Sequence, residues 1–288
     1  MRKLLCAALL LAACSRGNSR APVVVASKNF TESVLLGEIV AQKLESAGCT
    51  VDRRLNMGGT MIVDQAITAG SVDVYVEYSG TALTAILKQP SLAGAQAVEE
   101  AVRNAYVKRE LNWGPPLGFN NTFAMIVRKA DATAHGLTKI SDLARVQNDF
   151  QPGFGYEFVE RPDGWNGLLA AYHLAFAKAP KTMDLGLTYK ALASNQVDLI
   201  AGNSTDGLIE SLGLTILQDD RRYFPPYEAA IVYRKDIDEK CRASTRTLMA
   251  LGYTIDDAAM RRLNFEVDGK KRDVAEVARE FLKTAKRR

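Results

Sequence analysis

The stretch VVVASKNFTES, residues 23–33, decides the fold. Val23 to Ala26 is a short apolar run, the composition of a buried strand. From Thr31 to Ala47 the sequence turns helical, with Leu35, Ile39, Val40 and Leu44 on one face. Thr31 is placed as the cap of that helix and Gly48 as its stop. Between strand and helix stand a lysine, an amide and a phenylalanine: Lys28, Asn29 and Phe30. In open α/β sheets, ligands sit at such junctions, outside the carboxyl ends of the strands.

The same alternation continues downstream. CTVDRRLN (49–56) reads as a strand, GGTMIVDQAITAG (58–70) as a glycine turn into a short helix, and VDVYVEY (72–78) as a strand with Val72, Val74 and Val76 on one face. Helices follow at 80–87 and 95–109. TFAMIVRK, Thr122 to Lys129, is a strand, after which the rhythm restarts. ISDLARV (140–146) is a helix capped by Ser141, PGFGYEF (152–158) a strand, and GWNGLLAAYHLAF (164–176) a helix. TYKALASNQ is helical, VDLIAGN (197–203) a strand and TDGLIESLG helical. AAIVYRK (229–235) then echoes TFAMIVRK about 100 residues on. This succession argues for an α/β protein with open, largely parallel sheets. The two similar strands are expected to be crossings, near Ala124 and Ala230, between two lobes. Residues 23–124 would begin lobe 1, 125–226 would form lobe 2, and 227–288 would return to lobe 1 with the C-terminal helices. A cleft between such lobes suits a small ligand.

The N-terminus speaks to location. Arg2 and Lys3 precede a short apolar run, Leu4 to Leu11, closed by Leu11-Ala12-Ala13-Cys14. The run falls far short of the ~20 residues a membrane span needs, so residues 1–13 read as a processed signal. Small residues before a cysteine resemble the lipobox of bacterial lipoproteins. That likeness implies lipidation at Cys14, a tether over 14–22, and an extracytoplasmic protein held to the membrane through its lipid anchor only. Each buried acyl CH₂ contributes roughly 0.8 kcal/mol, so two or more chains anchor stably. Cys49 and Cys241 remain, either as one disulfide or as two buried thiols.

Composition narrows the function. Lys and Arg number 37 against 33 Asp and Glu, a net charge of +4, and the two signs are interspersed. The basic runs Lys270-Lys271-Arg272 and Lys286-Arg287-Arg288 read as solvated surface or a frayed end, so no nucleic-acid partner is expected. No CxxC or Cys/His cluster suggests a metal. The two histidines, His135 and His173, fall in a loop and an apolar helix, and no nucleophile elbow, Walker loop or His-Glu-x-x-His is present. Asp73, Asp198 and Asp206 fit strand ends and helix caps as well as acid–base roles. An enzyme is not expected.

Seven motifs occur in the order and spacing of one family: SKNFTES, GGT, VEYSGTAL, FNNTFAMIVRK, RPDGW, TYKALASNQVDLIAGNSTDG and FPPYEAA. Across Val23 to Leu282 the chain resembles the substrate-binding lipoproteins of ABC importers for osmoprotectants such as glycine betaine, choline and carnitine. The resemblance implies a two-lobed, periplasmic-binding-protein-like fold of type II. It also implies a monomer, without cofactor or metal, that delivers a quaternary-ammonium solute to a permease and its ATPase. The same fold could instead take another cationic or zwitterionic solute such as ergothioneine, or serve a sensor.

A quaternary ammonium has no N–H to donate, so aromatic faces grip it best, each contributing about 0.5–1 kcal/mol exposed and ~2 desolvated. A betaine's carboxylate needs cationic or hydroxyl donors opposite. By resemblance, the cage tyrosines fall on Tyr78 and Tyr227, and the hydroxyl for the carboxylate on Thr81, at a helix start. Lys28 and Arg161 would meet the anion from the first and second lobes. Without the family, Tyr78 and Tyr227 could be packing tyrosines, and Arg161 beside Asp163 a loop salt bridge. Two positions depart from the pattern. Phe123 stands where relatives often have tyrosine, and Asn203 where a further cage tyrosine is often found. Losing that ring should weaken a trimethylammonium cage by about 1–2 kcal/mol unless Tyr156, Trp165 or Phe30 replaces it.

Overall fold

The structure is a computed structural model describing residues 21–92 and 94–285. The signal, Cys14, most of the tether and the last three basic residues lie outside the described residues. Among the described residues, ten strands form two five-stranded sheets. The first, in order β2-β1-β3-β10-β4, contains β1 (Val23–Ala26), β2 (Val51–Arg54), β3 (Val74–Tyr78), β4 (Leu111–Asn120) and β10 (Glu228–Arg234). The second, in order β7-β6-β8-β5-β9, contains β5 (Phe123–Arg128), β6 (Pro152–Gly155), β7 (Lys181–Met183), β8 (Leu199–Asn203) and β9 (Leu214–Leu217).

Each sheet is mixed. β1 runs parallel to β2 and β3, and β6 parallel to β7 and β8. β10 is antiparallel to β3 and β4, and β5 to β8 and β9. The antiparallel members are those nearest the crossings. β4 passes to β5 through Asn121 and Thr122 alone, and residues 218–227 lead back to β10. Ala124 pairs with Gly202 inside the second sheet, and Ala230 with Glu77 and Pro116 inside the first. The chain therefore changes lobe a few residues before each expected point.

Helices cover both faces of the first sheet, so its inner strands β1, β3 and β10 are buried on both sides, while the edge strand β2 is partly exposed. Val23, Val25, Val74 and Val76 share one core with Leu35, Ile39 and Leu44 of α1 (Thr31–Ser46). Val24, Ala26 and Tyr75 share another with Val63 and Ile67 of α2 (Thr60–Thr68). Val72 joins this second core, not the face of Val74 and Val76, because the strand begins only at Val74.

Two capping expectations fail for one reason: each hydroxyl sits inside its helix rather than at the cap and finds a distant carboxylate. Thr31 donates to Asp268 at 2.7 Å, and Phe30 occupies the cap position. Ser141 donates to Asp220 at 2.7 Å, while Asp142 accepts the Thr138 and Lys139 N–H groups at the start of the 3₁₀ helix Ile140–Arg145. The segment expected as a strand through Phe158 ends at Gly155, and Tyr156–Glu160 is a helix. Cys49 and Cys241 form a disulfide, with Cα atoms 5.6 Å apart.

Candidate functional site

The chain ends of β1, β3 and β8 and the start of β5 converge on a cleft of about 250 Å³ between the sheets. All seven residues singled out in the sequence line it: Lys28, Tyr78, Thr81, Phe123, Arg161, Asn203 and Tyr227. Lys28 follows β1, Tyr78 ends β3, and Thr81 closes the helical turn Ser79–Thr81. Phe123 opens β5, Asn203 ends β8, and Tyr227 immediately precedes β10. Arg161 follows the helix Tyr156–Glu160. Gly80 makes room for this arrangement: a Cβ there would lie 2.7 Å from both the Pro226 carbonyl and the Tyr227 ring.

The rings form two groups. Phe123 meets Phe158 at 4.9 Å and Tyr227 at 5.6 Å, both edge-on, the favoured aromatic geometry. Phe30 lies 6.1 Å from Tyr78. Of the proposed replacement rings, Phe30 and Tyr156 line the cleft. Trp165 does not: it is buried behind, against Phe154 and Phe176, where its large apolar surface is fully used. Cationic groups of the protein already face these rings. The Lys28 ammonium is 4.8 Å from the Tyr78 centroid, and the Arg161 guanidinium 5.1 Å from that of Phe123.

Both cations are also paired with carboxylates. Lys28 bonds Glu77 at 2.6 Å, and both are buried. Burial pushes the Glu77 carboxyl up despite the opposing pull of Lys28. One Glu77 oxygen has no hydrogen-bond partner among the described residues. Arg161 forks onto Asp163 through Nε at 2.8 Å and Nη2 at 2.6 Å, while Nη1 donates to Thr81 at 3.1 Å. The Tyr227 hydroxyl donates to Asp163 at 2.5 Å and the Thr84 hydroxyl at 2.8 Å. Burial alone would raise Asp163, but Arg161 and the two hydroxyls outweigh it and hold the carboxyl below its usual range. The loop salt bridge considered from sequence is thus present, and it reaches across the cleft.

Further contacts join the lobes. Glu157, from the second, accepts the Thr60 N–H at the start of α2 at 2.6 Å, where a helix favours an anion. Glu32 of α1 is buried and accepts four hydrogen bonds. Tyr78 and Asn121 donate to one oxygen, both at 2.7 Å; Thr205 and Asn264 donate to the other at 2.6 and 2.8 Å. Sequence reasoning passed over Glu32, Glu77, Glu157 and Asp163 as site groups. For Glu77 a signal existed: a carboxylate inside an otherwise apolar strand demands a partner.

Among the described residues, no helix is long and apolar enough to cross a membrane, and no group of His, Cys, Asp and Glu could hold a metal ion. Residues 21–284 match the family described as substrate binding domain of ABC-type glycine betaine transport system. The chain is 37% identical over 264 residues to the ergothioneine transport permease/ergothioneine binding protein of Helicobacter pylori (strain G27), which covers 91% of this chain. It spans only 47% of that longer relative. It is 33% identical to a carnitine transport binding protein of Listeria monocytogenes, over 97% of this chain and 93% of the relative. Among solved structures, a glycine betaine/carnitine/choline ABC transporter protein superposes with a TM-score of 0.74 at 30% identity. That match covers 91% of this chain and 98% of the other.

Proposed function

The chain belongs to the family of substrate-binding domains of ABC-type glycine betaine transport systems, and on that footing we propose that its cleft captures a quaternary-ammonium solute for delivery to a permease. The carrying observation is the meeting of aromatic side chains from both lobes around one small cavity: Phe30, Tyr78 and Tyr227 from the first, and Phe123, Tyr156 and Phe158 from the second. Such rings attract a cation that has no N–H to satisfy. Thr81, Arg161 and Lys28 supply the donors a betaine carboxylate would use. Because both cations are paired, a carboxylate entering here shares or displaces Asp163 or Glu77 and does not meet a bare charge.

In this reading the solute bridges the lobes, and bending is confined to Asn121–Thr122 and the 218–227 return. The mature protein would act as a monomer outside the cytoplasm, lipidated at Cys14, without cofactor or catalysis. Its partners would be a permease and its ATPase. A second reading, an ergothioneine-type solute, draws on Asn203 and on the relative of that function.

Calorimetric titration of the signal-less protein tests both, with glycine betaine, choline, carnitine, proline betaine and ergothioneine. One ligand should bind tightly, and Tyr78→Ala and Tyr227→Ala should each weaken it about 10- to 30-fold, the equivalent of one desolvated ring. Tyr78→Phe, which keeps the ring, should retain most of the affinity. Silence from all five ligands, or indifference to both alanine variants, would sink the aromatic-site reading.

A further inference from the structure

The cleft has a neighbour. A second cavity, of about 400 Å³, lies behind a wall made by Asn29, Phe30, Leu185 and Asn203, which line both spaces. Asn29 and Asn203 are the smaller side chains of that wall, and at Asn203 the resemblance leads one to expect an aromatic ring. The Asn203 amide is turned toward the far side. Its Nδ2 lies 3.4 Å from each oxygen of Asp206, and its backbone N–H donates to Asp206 at 2.9 Å. Asp206 lines the second cavity and not the first.

The two chambers differ in chemistry. The first is bordered by rings, with charges of both signs on Lys28, Arg161, Glu157 and Asp184. Charged groups on the second are Asp206, Asp268 and Lys271, an excess of acceptors. Asp206 is held by the Tyr189 hydroxyl at 2.5 Å, and Asp268 by that of Thr31 at 2.7 Å, so both carboxylates are fixed in place. Fixed acceptors beside a single lysine favour a group that donates hydrogen bonds and disfavour a second anion.

We propose that the two cavities are two chambers of one binding site, the first taking a quaternary ammonium and the second, reached past Asn203, taking a hydrogen-bond-donating extension of the same molecule. The preferred solute is then a betaine longer than glycine betaine, carrying a hydroxyl or a ring N–H. This rests on the aromatic-site reading above and narrows it.

Titration of three probes into the wild type and two variants decides the matter: glycine betaine as the short ligand, carnitine for the hydroxyl, ergothioneine for the ring N–H. Asn203→Tyr thickens the wall. It should cut affinity for the preferred extended probe at least tenfold while leaving glycine betaine affinity equal or higher, because the new ring adds an aromatic wall to the first chamber. Asp268→Asn, at a partly exposed site, should likewise weaken only the extended probe; thermal melts of both variants check folding. If glycine betaine binds, yet both variants leave all three affinities unchanged or shift them equally, the two-chamber inference is wrong and the aromatic site stands. No binding of any probe to the wild type would remove the aromatic-site reading and this inference together.

Discussion

Replacing Glu32 should destabilise the protein more than replacing any other carboxylate near the cleft. Its two oxygens receive four donors drawn from β3, the first crossing, the loop after β8 and the helix Asp257–Asp268. Hydrogen bonds to a charged group are each worth about 1.5–3 kcal/mol net. Against them stands the cost of burying the carboxylate, several kcal/mol, which an alanine relieves. Adding the cavity an alanine leaves, Glu32→Ala should lose about 2–5 kcal/mol. Glu32→Gln keeps the shape and one acceptor oxygen. The carbonyl oxygens of Asn121 and Asn264 are buried without partners among the described residues, so either amide can turn to accept the new N–H₂. Its cost should be smaller, about 1–2 kcal/mol. Urea unfolding followed by tryptophan fluorescence is the assay, because Trp113 and Trp165 report one lobe each. An alanine variant within 0.5 kcal/mol of wild type, or a glutamine variant worse than alanine, would refute the network as the source of stability.

Two further outcomes follow from features away from the rings. Reducing the Cys49–Cys241 disulfide, or replacing both cysteines with serine, should cost about 2–4 kcal/mol, because the bond closes a loop of 192 residues; urea midpoints with and without reductant measure it. Asp206 carries a pH signature: burial pushes its carboxyl from the ordinary 3.8 up to about 6, against the pull of the Tyr189 hydroxyl. The folded state thus holds that proton more tightly than the unfolded chain, so this contribution is full below about 3.8 and is lost as pH rises through about 6. Stability of the wild type relative to Asp206→Asn should therefore fall by roughly 1–3 kcal/mol between pH 4 and 7, read from urea midpoints at each pH. A parallel pH dependence for the two proteins would contradict it.

Much of this architecture was legible because it rests on short-range pattern. β1, α1, β3, β8 and β10 announce themselves through apolar runs and helical spacing, and the family motifs bring all seven chosen residues to one cleft. β4 was not legible. Pro115-Pro116 and two glycines interrupt any strand pattern there, since proline gives no N–H to a ladder. The sheet tolerates them through register shifts against β10 between Glu228 and Val232. The carboxylates were hidden for another reason. An acid in the first turn of a helix, such as Glu32, looks like an ordinary dipole partner. Only the fold shows that it is buried among four donors from distant parts of the chain. Glu157 was missed with its helix, because GYEF was read as continuing β6.

The disulfide has a topological consequence. Cys49 and Cys241 both belong to the part of the chain built around the first sheet, and every strand of the second sheet lies between them. The second lobe is therefore a covalent loop fastened at its base. A single backbone cut anywhere in it would leave one molecule and not two fragments. The severed lobe would stay beside its partner, able to refold against the same rings and the same Thr81 hydroxyl.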